Sequence, residues 1–416
     1  MKVDFQPASQ LADGRRKLEA LTALRFGAAS CIVLHHLRGS FGIATDAYAS
    51  LNLGAAVSFF FVLSGFVLAY AYPKVRTSAE AFAFVIRRWF RVWPLHFACL
   101  LILVMLMPQL LVDAARSFQG WLELLTNSFL LQAWVPLSSF YFSFNTVSWS
   151  ISVEWFFYLS FPFLLHLMLR WNSVWLSLLV SFLPLAVVLL LSAIFKVSDY
   201  SGAENQLTTH GLIYIGPLAR LFEFAVGIAL QVSRRNRRSF SGFERHMWLL
   251  QLLSLAMAAW FVAKGGILGI RPWMPHVFTI WFDYSGGLPI WAFVIWTFSF
   301  SNAWPAAFLS NRLLVALGEV SFAIYLVHFS IGHAAARQFC QLFHIENSSL
   351  QLALYLLLVI GASFCLYYAI ERPGMAIGRH WANCVYPKRD LSKTERQEAS
   401  VQELVSNPSR TPVRLD

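Results

Sequence analysis

Long apolar runs recur along this chain and leave few folds open to it. They lie near residues 21–38, 52–72, 94–113, 148–169, 174–195, 211–231, 246–264, 284–302, 313–333 and 350–371. Each is about the length a helix needs to cross a bilayer, and a helix satisfies its backbone polar groups within itself. The pattern predicts an all-α, polytopic membrane helix bundle of about ten transmembrane helices. Composition agrees: 58% of residues are hydrophobic and 13% are charged, a balance foreign to soluble domains.

The net charge is +11. In a soluble protein this excess would point to nucleic acid. Here most Lys and Arg residues fall in alternate segments between the apolar runs, the positive-inside pattern. It predicts N- and C-termini in the cytoplasm, an even number of spans, and no nucleic-acid partner. The first twenty residues are polar and basic, and no small-residue cleavage site follows the first run, which is expected to stay as an anchor. The expected organisation is a cytoplasmic segment over 1–20, a membrane domain over 21–373, and a cytoplasmic tail over 374–416, disordered from about 386. Residues 114–147 are expected to be extracytoplasmic and to hold an interfacial or re-entrant helix, with 265–283 as a second outer loop. The five cysteines show no metal-ligand spacing, so no metal site is expected.

The informative residues are the polar ones inside apolar runs, because an ionisable group in lipid is costly and by default functional. Arg25 and His36 share the first run. Eleven helical steps of about 100° bring His36 back to within about 20° of Arg25, so both sit on one face, roughly 16 Å apart along the axis. Arg88 and Arg91, three residues apart ahead of Pro94, share a face suited to gripping phosphate; Pro94 is expected to open the third spanning helix. Ser150, Glu154, Tyr158 and Pro162 recur every fourth residue and form a stripe. Gly318, Ser321, Tyr325 and His328 line one face of the ninth run. Arg220 and Glu223 read as a structural pair, and Ser58 to Phe66, with Ser64 and Gly65, as a close-packing helix. With the termini inside, Arg88 and Arg91 form a basic inner mouth, while His36, Glu154 and His328 fall together in the outer half.

In order along the chain, Arg25 with ten residues before His36, Phe61-Val62-Leu63-Ser64-Gly65-Phe66, Arg88-x-x-Arg91 with Pro94, Trp149-Ser150 through Glu154 to Tyr158 and Pro162, Arg220 with Glu223 and Gly227, Gly318 through Ser321 and Tyr325 to His328, and Glu371-Arg372-Pro373 resemble membrane acyltransferase family 3. The chain departs from the usual pattern at Trp155, where a second acidic residue often follows the glutamate. The resemblance implies a multi-pass enzyme of the bacterial inner membrane. It moves an acyl group, usually acetyl, from cytoplasmic acyl-CoA to a hydroxyl of an envelope or extracellular glycan or its lipid-linked precursor. Unlike some members of that family, the chain is expected to carry no appended extracytoplasmic hydrolase-like domain, so that any second transfer step would need another protein.

On that reading His36 is the general base and Glu154 its catalytic partner or an acceptor ligand. Arg25, Arg88 and Arg91 bind the acyl-CoA donor, and Ser150, Tyr158, Tyr325 and His328 position donor or acceptor. Acyl-CoA is the co-substrate, with no metal. Membrane lipid is a partner, and homo-oligomers or glycan-assembly proteins are compatible ones. The competing reading of the same buried charges is a transporter or exporter of a small anion or glycan precursor.

Overall fold

The structure is a computed structural model and describes residues 18–46, 48, 50–171, 173–199, 206–236, 244–264, 276–300 and 303–386. Among them all regular structure is helical. The chain begins with α1 (Glu19–His36), α2 (Ala56–Ala71) and α3 (Ser78–Leu106). Three short helices follow, α4 (Gln109–Ala115), α5 (Phe118–Ser128) and α6 (Ser138–Tyr141), then α7 (Trp149–Arg170) and α8 (Val174–Ile194). A π-helical turn over His210–Ile215 leads into α9 (Pro217–Asn236). Next come α10 (Met247–Lys264), α11 (His276–Ser285), α12 (Leu288–Phe298) and α13 (Trp304–Leu309). The last helices are α14 (Arg312–Val327), α15 (Ser330–Leu342), α16 (Ser348–Leu366) and α17 (Arg372–Val385).

Seven of the described helical stretches are long and apolar enough to cross a membrane, and eight if α14 and α15 count as one bent span. Two expected spans fall outside that set for physical reasons. Helix α1 carries Glu19, Arg25, His35 and His36 within its 18 residues, and these lower its mean hydropathy. The run near 284–302 is divided at Gly286-Gly287 into α11 and α12. The outer loop expected over 265–283 is helical from His276; residues 265–275 lie outside the described set. The helix expected within 114–147 is α5, whose Phe118, Trp121, Leu122, Leu125 and Phe129 are exposed along one stripe. The expected disorder beyond about 386 also lies outside the described residues, but 374–385 is helical and packs along α3.

The third helix is a correction. Pro94 does not open it: α3 starts sixteen residues earlier, where the Thr77 side chain accepts a hydrogen bond from the Glu80 backbone N–H. The Phe90 carbonyl, which Pro94 cannot serve with an N–H, faces the backbone of Gly374, where an added β-carbon would come within 2.9 Å of it. The proline is accommodated because another helix passes close at that point.

Burial orders the bundle. The stretches holding α2, α9 and α7 are 72%, 67% and 56% buried within the protein, whereas those holding α8, α10 and α16 are 22% buried. Helices α2 and α9 therefore form the centre. They meet through reciprocal glycines: a β-carbon on Gly65 would lie 2.1 Å from the Phe224 carbonyl oxygen, and one on Gly227 would lie 2.0 Å from that of Val62. Only glycine permits this approach, the small-residue packing expected where lipid supplies no hydrophobic drive between helices. Ser58, on the same face of α2, donates to Glu223 Oε1 at 3.1 Å. Arg220 donates to that oxygen at 2.6 Å and to Ser285 Oγ at 2.7 Å, so the structural pair read from the sequence is present and buried.

Candidate active site

Helices α1, α2, α3, α7 and α14 enclose a cavity of about 410 Å³. Arg25 enters it from α1, Arg88 and Arg91 from α3, Ser150, Glu154 and Tyr158 from α7, and Tyr325 from α14. Seven of the nine residues singled out from the sequence thus line one space. The α7 stripe sets its long axis, because Ser150 and Tyr158 are eight residues, or about 12 Å, apart on one helix face.

One end of the cavity is cationic. Arg88 Nη2 donates to the Tyr72 hydroxyl at 3.2 Å, and its guanidinium lies 5.2 Å from the centre of the Tyr72 ring and 5.9 Å from that of Tyr158. Arg91 Nη1 is directed at the Met375 sulfur at 3.2 Å. Among the described residues no carboxylate comes within 4.0 Å of Arg25, Arg88 or Arg91. Glu154 and Glu371 lie within electrostatic range of Arg25 and Arg91 but do not pair with them. Half-buried guanidiniums without a bound carboxylate keep their forks open to an incoming anion, and phosphate suits that geometry.

Glu154 belongs to this end. Tyr158 donates to its Oε1 at 2.5 Å and Ser64 at 3.1 Å. Its hydrogen bonds therefore run within the cavity and not to an imidazole, unlike the outer-half cluster of Glu154 with His36 and His328 expected from depth alone. Ser64, which the sequence marks only as a packing residue, is also a ligand of the glutamate.

The other end is closed by Ser150, Phe60 and Tyr325. Ser150 donates to the Tyr325 hydroxyl at 2.7 Å, and that hydroxyl donates to the Val147 carbonyl at 3.1 Å. Behind Tyr325, outside the cavity lining, His36 and His328 face each other. His36 Nδ1 and His328 Nε2 are 2.9 Å apart, with rings nearly parallel at 26°. His328 is fully buried. Phe329 covers His36 with ring centres 4.7 Å apart. The neighbouring His35 contacts the Arg38 guanidinium.

A helix break puts His328 there. Helix α14 ends at Val327, and α15 leaves at 73°. Ending a helix at depth frees backbone carbonyls, which must find other donors. His328 Nδ1 takes the Tyr325 carbonyl at 2.7 Å, Asn145 Nδ2 takes that of Leu326 at 2.9 Å, and the Tyr355 hydroxyl takes that of His328 at 2.9 Å. Near the opposite end of α14, a β-carbon on Gly318 would lie 2.0 Å from the Thr22 carbonyl. That contact fixes α14 against α1, so Arg25 and His36 are held along the same seam.

Sequence reasoning missed Glu319. It lines the cavity and accepts from the Tyr367 hydroxyl at 3.4 Å. Its signal was the one that marked Glu154, a carboxylate inside an apolar run. Among the described residues no cluster of histidines, cysteines and carboxylates is arranged to hold a metal.

Residues 18–368 match the family model described as "Acyltransferase domain", within acyltransferase family 3. Among characterised proteins, the chain is similar to the acyltransferase MdmB of Streptomyces mycarofaciens, with 29% identity over 388 residues, 87% of this chain and 92% of that one. No solved structure matches the chain.

Proposed function

Since the chain belongs to acyltransferase family 3 and is an acyl-transferring enzyme, we propose that it takes an acyl group, usually acetyl, from cytoplasmic acyl-CoA and passes it to a hydroxyl of an envelope or extracellular glycan or a lipid-linked precursor. The observation that carries this reading is the polarity of the cavity. It has three arginines without carboxylate partners at one end and a histidine pair just behind the other. Arg25 and His36, on one face of α1, set the distance between those ends at roughly 16 Å. A phosphorylated carrier with a long thioester arm fits this layout: phosphates on Arg88 and Arg91, the arm past Arg25 and Glu154, and the thioester near Ser150 and Tyr325.

An alcohol attacks a thioester poorly until a base takes its proton, a contribution of about 10²–10⁴ in rate. His36 supplies that base. Glu154, held by Tyr158 and Ser64, orients the arm, and Arg25 lines the donor channel beside the phosphates. Ten spans follow if α1, the α11–α12 pair and the bent α14–α15 pair each cross once. Both termini then face the cytoplasm of a bacterial inner membrane, and the arginine end opens inward.

Purified protein in liposomes, given [¹⁴C]acetyl-CoA and a cell-envelope glycan fraction, is expected to move label into base-labile esters. His36→Ala should lower that transfer by about 100-fold or more. Undiminished transfer by this variant would remove His36 as the base. Absence of label transfer from acetyl-CoA, with transfer from another activated acyl donor, would remove acyl-CoA as the donor.

A further inference from the structure

We propose that His328 is a positioning residue for the base: its Nε2 accepts the Nδ1–H of His36 and so fixes the Nε2 lone pair of His36 as the one that takes the acceptor's proton. The inference rests on His36 being the base. It follows from hydrogen-bond bookkeeping along a chain of three groups.

The Tyr325 carbonyl can only accept, so His328 Nδ1, 2.7 Å from it, carries a proton. In a neutral imidazole the other nitrogen then has a lone pair. That nitrogen, His328 Nε2, is 2.9 Å from His36 Nδ1. For the contact to be a hydrogen bond, His36 Nδ1 is the donor, and His36 Nε2 is left as the acceptor. The order is His36 to His328 to a backbone carbonyl. A fully buried imidazole thus takes the orienting place that a carboxylate holds in a Ser-His-Asp triad. The carbonyl is available only because α14 ends at Val327, so the helix break is what sets the tautomer.

During transfer the acceptor O–H breaks and its proton goes to His36 Nε2. The oxygen bonds to the thioester carbonyl carbon, and the Nδ1 proton of His36 is shared with His328 Nε2. As the tetrahedral intermediate collapses, the C–S bond breaks and the thiolate takes the proton from His36 Nε2. The products are an ester and free CoA thiol, with the histidine pair back in its starting tautomers.

The test compares two nucleophiles with acetyl-CoA. One is the sugar hydroxyls of octyl glucoside, which need a base; the other is hydroxylamine, which attacks thioesters without one. Replacing His328 by Phe should lower transfer to octyl glucoside about 10- to 100-fold while enzyme-dependent transfer to hydroxylamine stays within about threefold. His328→Gln keeps a carbonyl oxygen that can accept from His36 Nδ1–H and should recover octyl glucoside transfer to within about tenfold of the native protein. Parallel loss of both reactions, no loss in either, or Gln no better than Phe would overturn the proposal. His36→Ala run alongside separates the two levels. If it retains octyl glucoside transfer, the base reading fails; if it loses transfer while His328→Phe does not, only the positioning role fails.

Discussion

A half-buried guanidinium without a carboxylate is an unfinished site, and α3 supplies two of them three residues apart. If Arg88 and Arg91 hold donor phosphates, Arg88→Ala or Arg91→Ala should raise the KM for acetyl-CoA by about tenfold or more, with a smaller change in kcat, because a charge-assisted hydrogen bond is worth about 1.5–3 kcal/mol. Lysine at either position should restore only part of the loss, since it lacks the planar fork. Steady-state kinetics in detergent would show this. Arg220 sets the contrast. It is fully buried and committed to Glu223 and Ser285, so its loss belongs to stability. Glu223→Leu should destabilise the fold by about 3–5 kcal/mol, and the double change Arg220→Met with Glu223→Leu should recover much of that; thermal unfolding of the detergent-solubilised variants decides it. Tyr325 contributes to His328 through its backbone carbonyl. Tyr325→Phe keeps that carbonyl and should hold kcat within about tenfold of the native value, because it removes hydrogen bonds of about 0.5–1.5 kcal/mol each.

Among the helices, two kinds of contact hold the residues in place. The α2–α9 seam depends on two glycines with carbonyls where their β-carbons would be. A side chain there has no flexible neighbour to push aside, so Gly65→Leu or Gly227→Leu should separate the helices that carry Ser64 and Arg220. The expected result is a loss of stability of at least about 1–3 kcal/mol, read as a lower unfolding temperature. The α14–α15 break works differently, and it marks the limit of what the sequence discloses. Arg25, His36, Glu154, Tyr325 and His328 were legible because each polar group is expensive in lipid and stands out against its run. The helical stretches were legible from length and apolarity. The bend after Val327 was not: no proline precedes it, and Gly332 lies beyond it. The groups that make it tolerable, Asn145 and Tyr355, lie 181 and 27 residues from the carbonyls they cap. Local propensity carries no trace of such partners. The pairing of Glu154 with Ser64 was hidden for the same reason, 90 residues apart. Pro94 misled because its usual meaning, a helix start, gives way where Gly374 comes close.

At the scale of the molecule, topology and donor choice become linked. Cys384 is exposed near the end of α17, on the side where the arginine end of the cavity opens under the proposed orientation. A membrane-impermeant maleimide should therefore label Cys384 in inverted vesicles and not in intact cells, and the reverse pattern would overturn that orientation. The stretch from Arg25 to His36 has a consequence of its own. A rigid helix measures a fixed interval between where a donor's charge is gripped and where its acyl carbon must arrive. The protein then selects by reach as well as by chemistry: a compact mixed anhydride such as acetyl phosphate, seated on the arginines, would stop short of the histidines, whereas a carrier with a long tether would span the gap. The enzyme would read its donor with a ruler, and lengthening or trimming the tether should matter more than changing the acyl group at its tip.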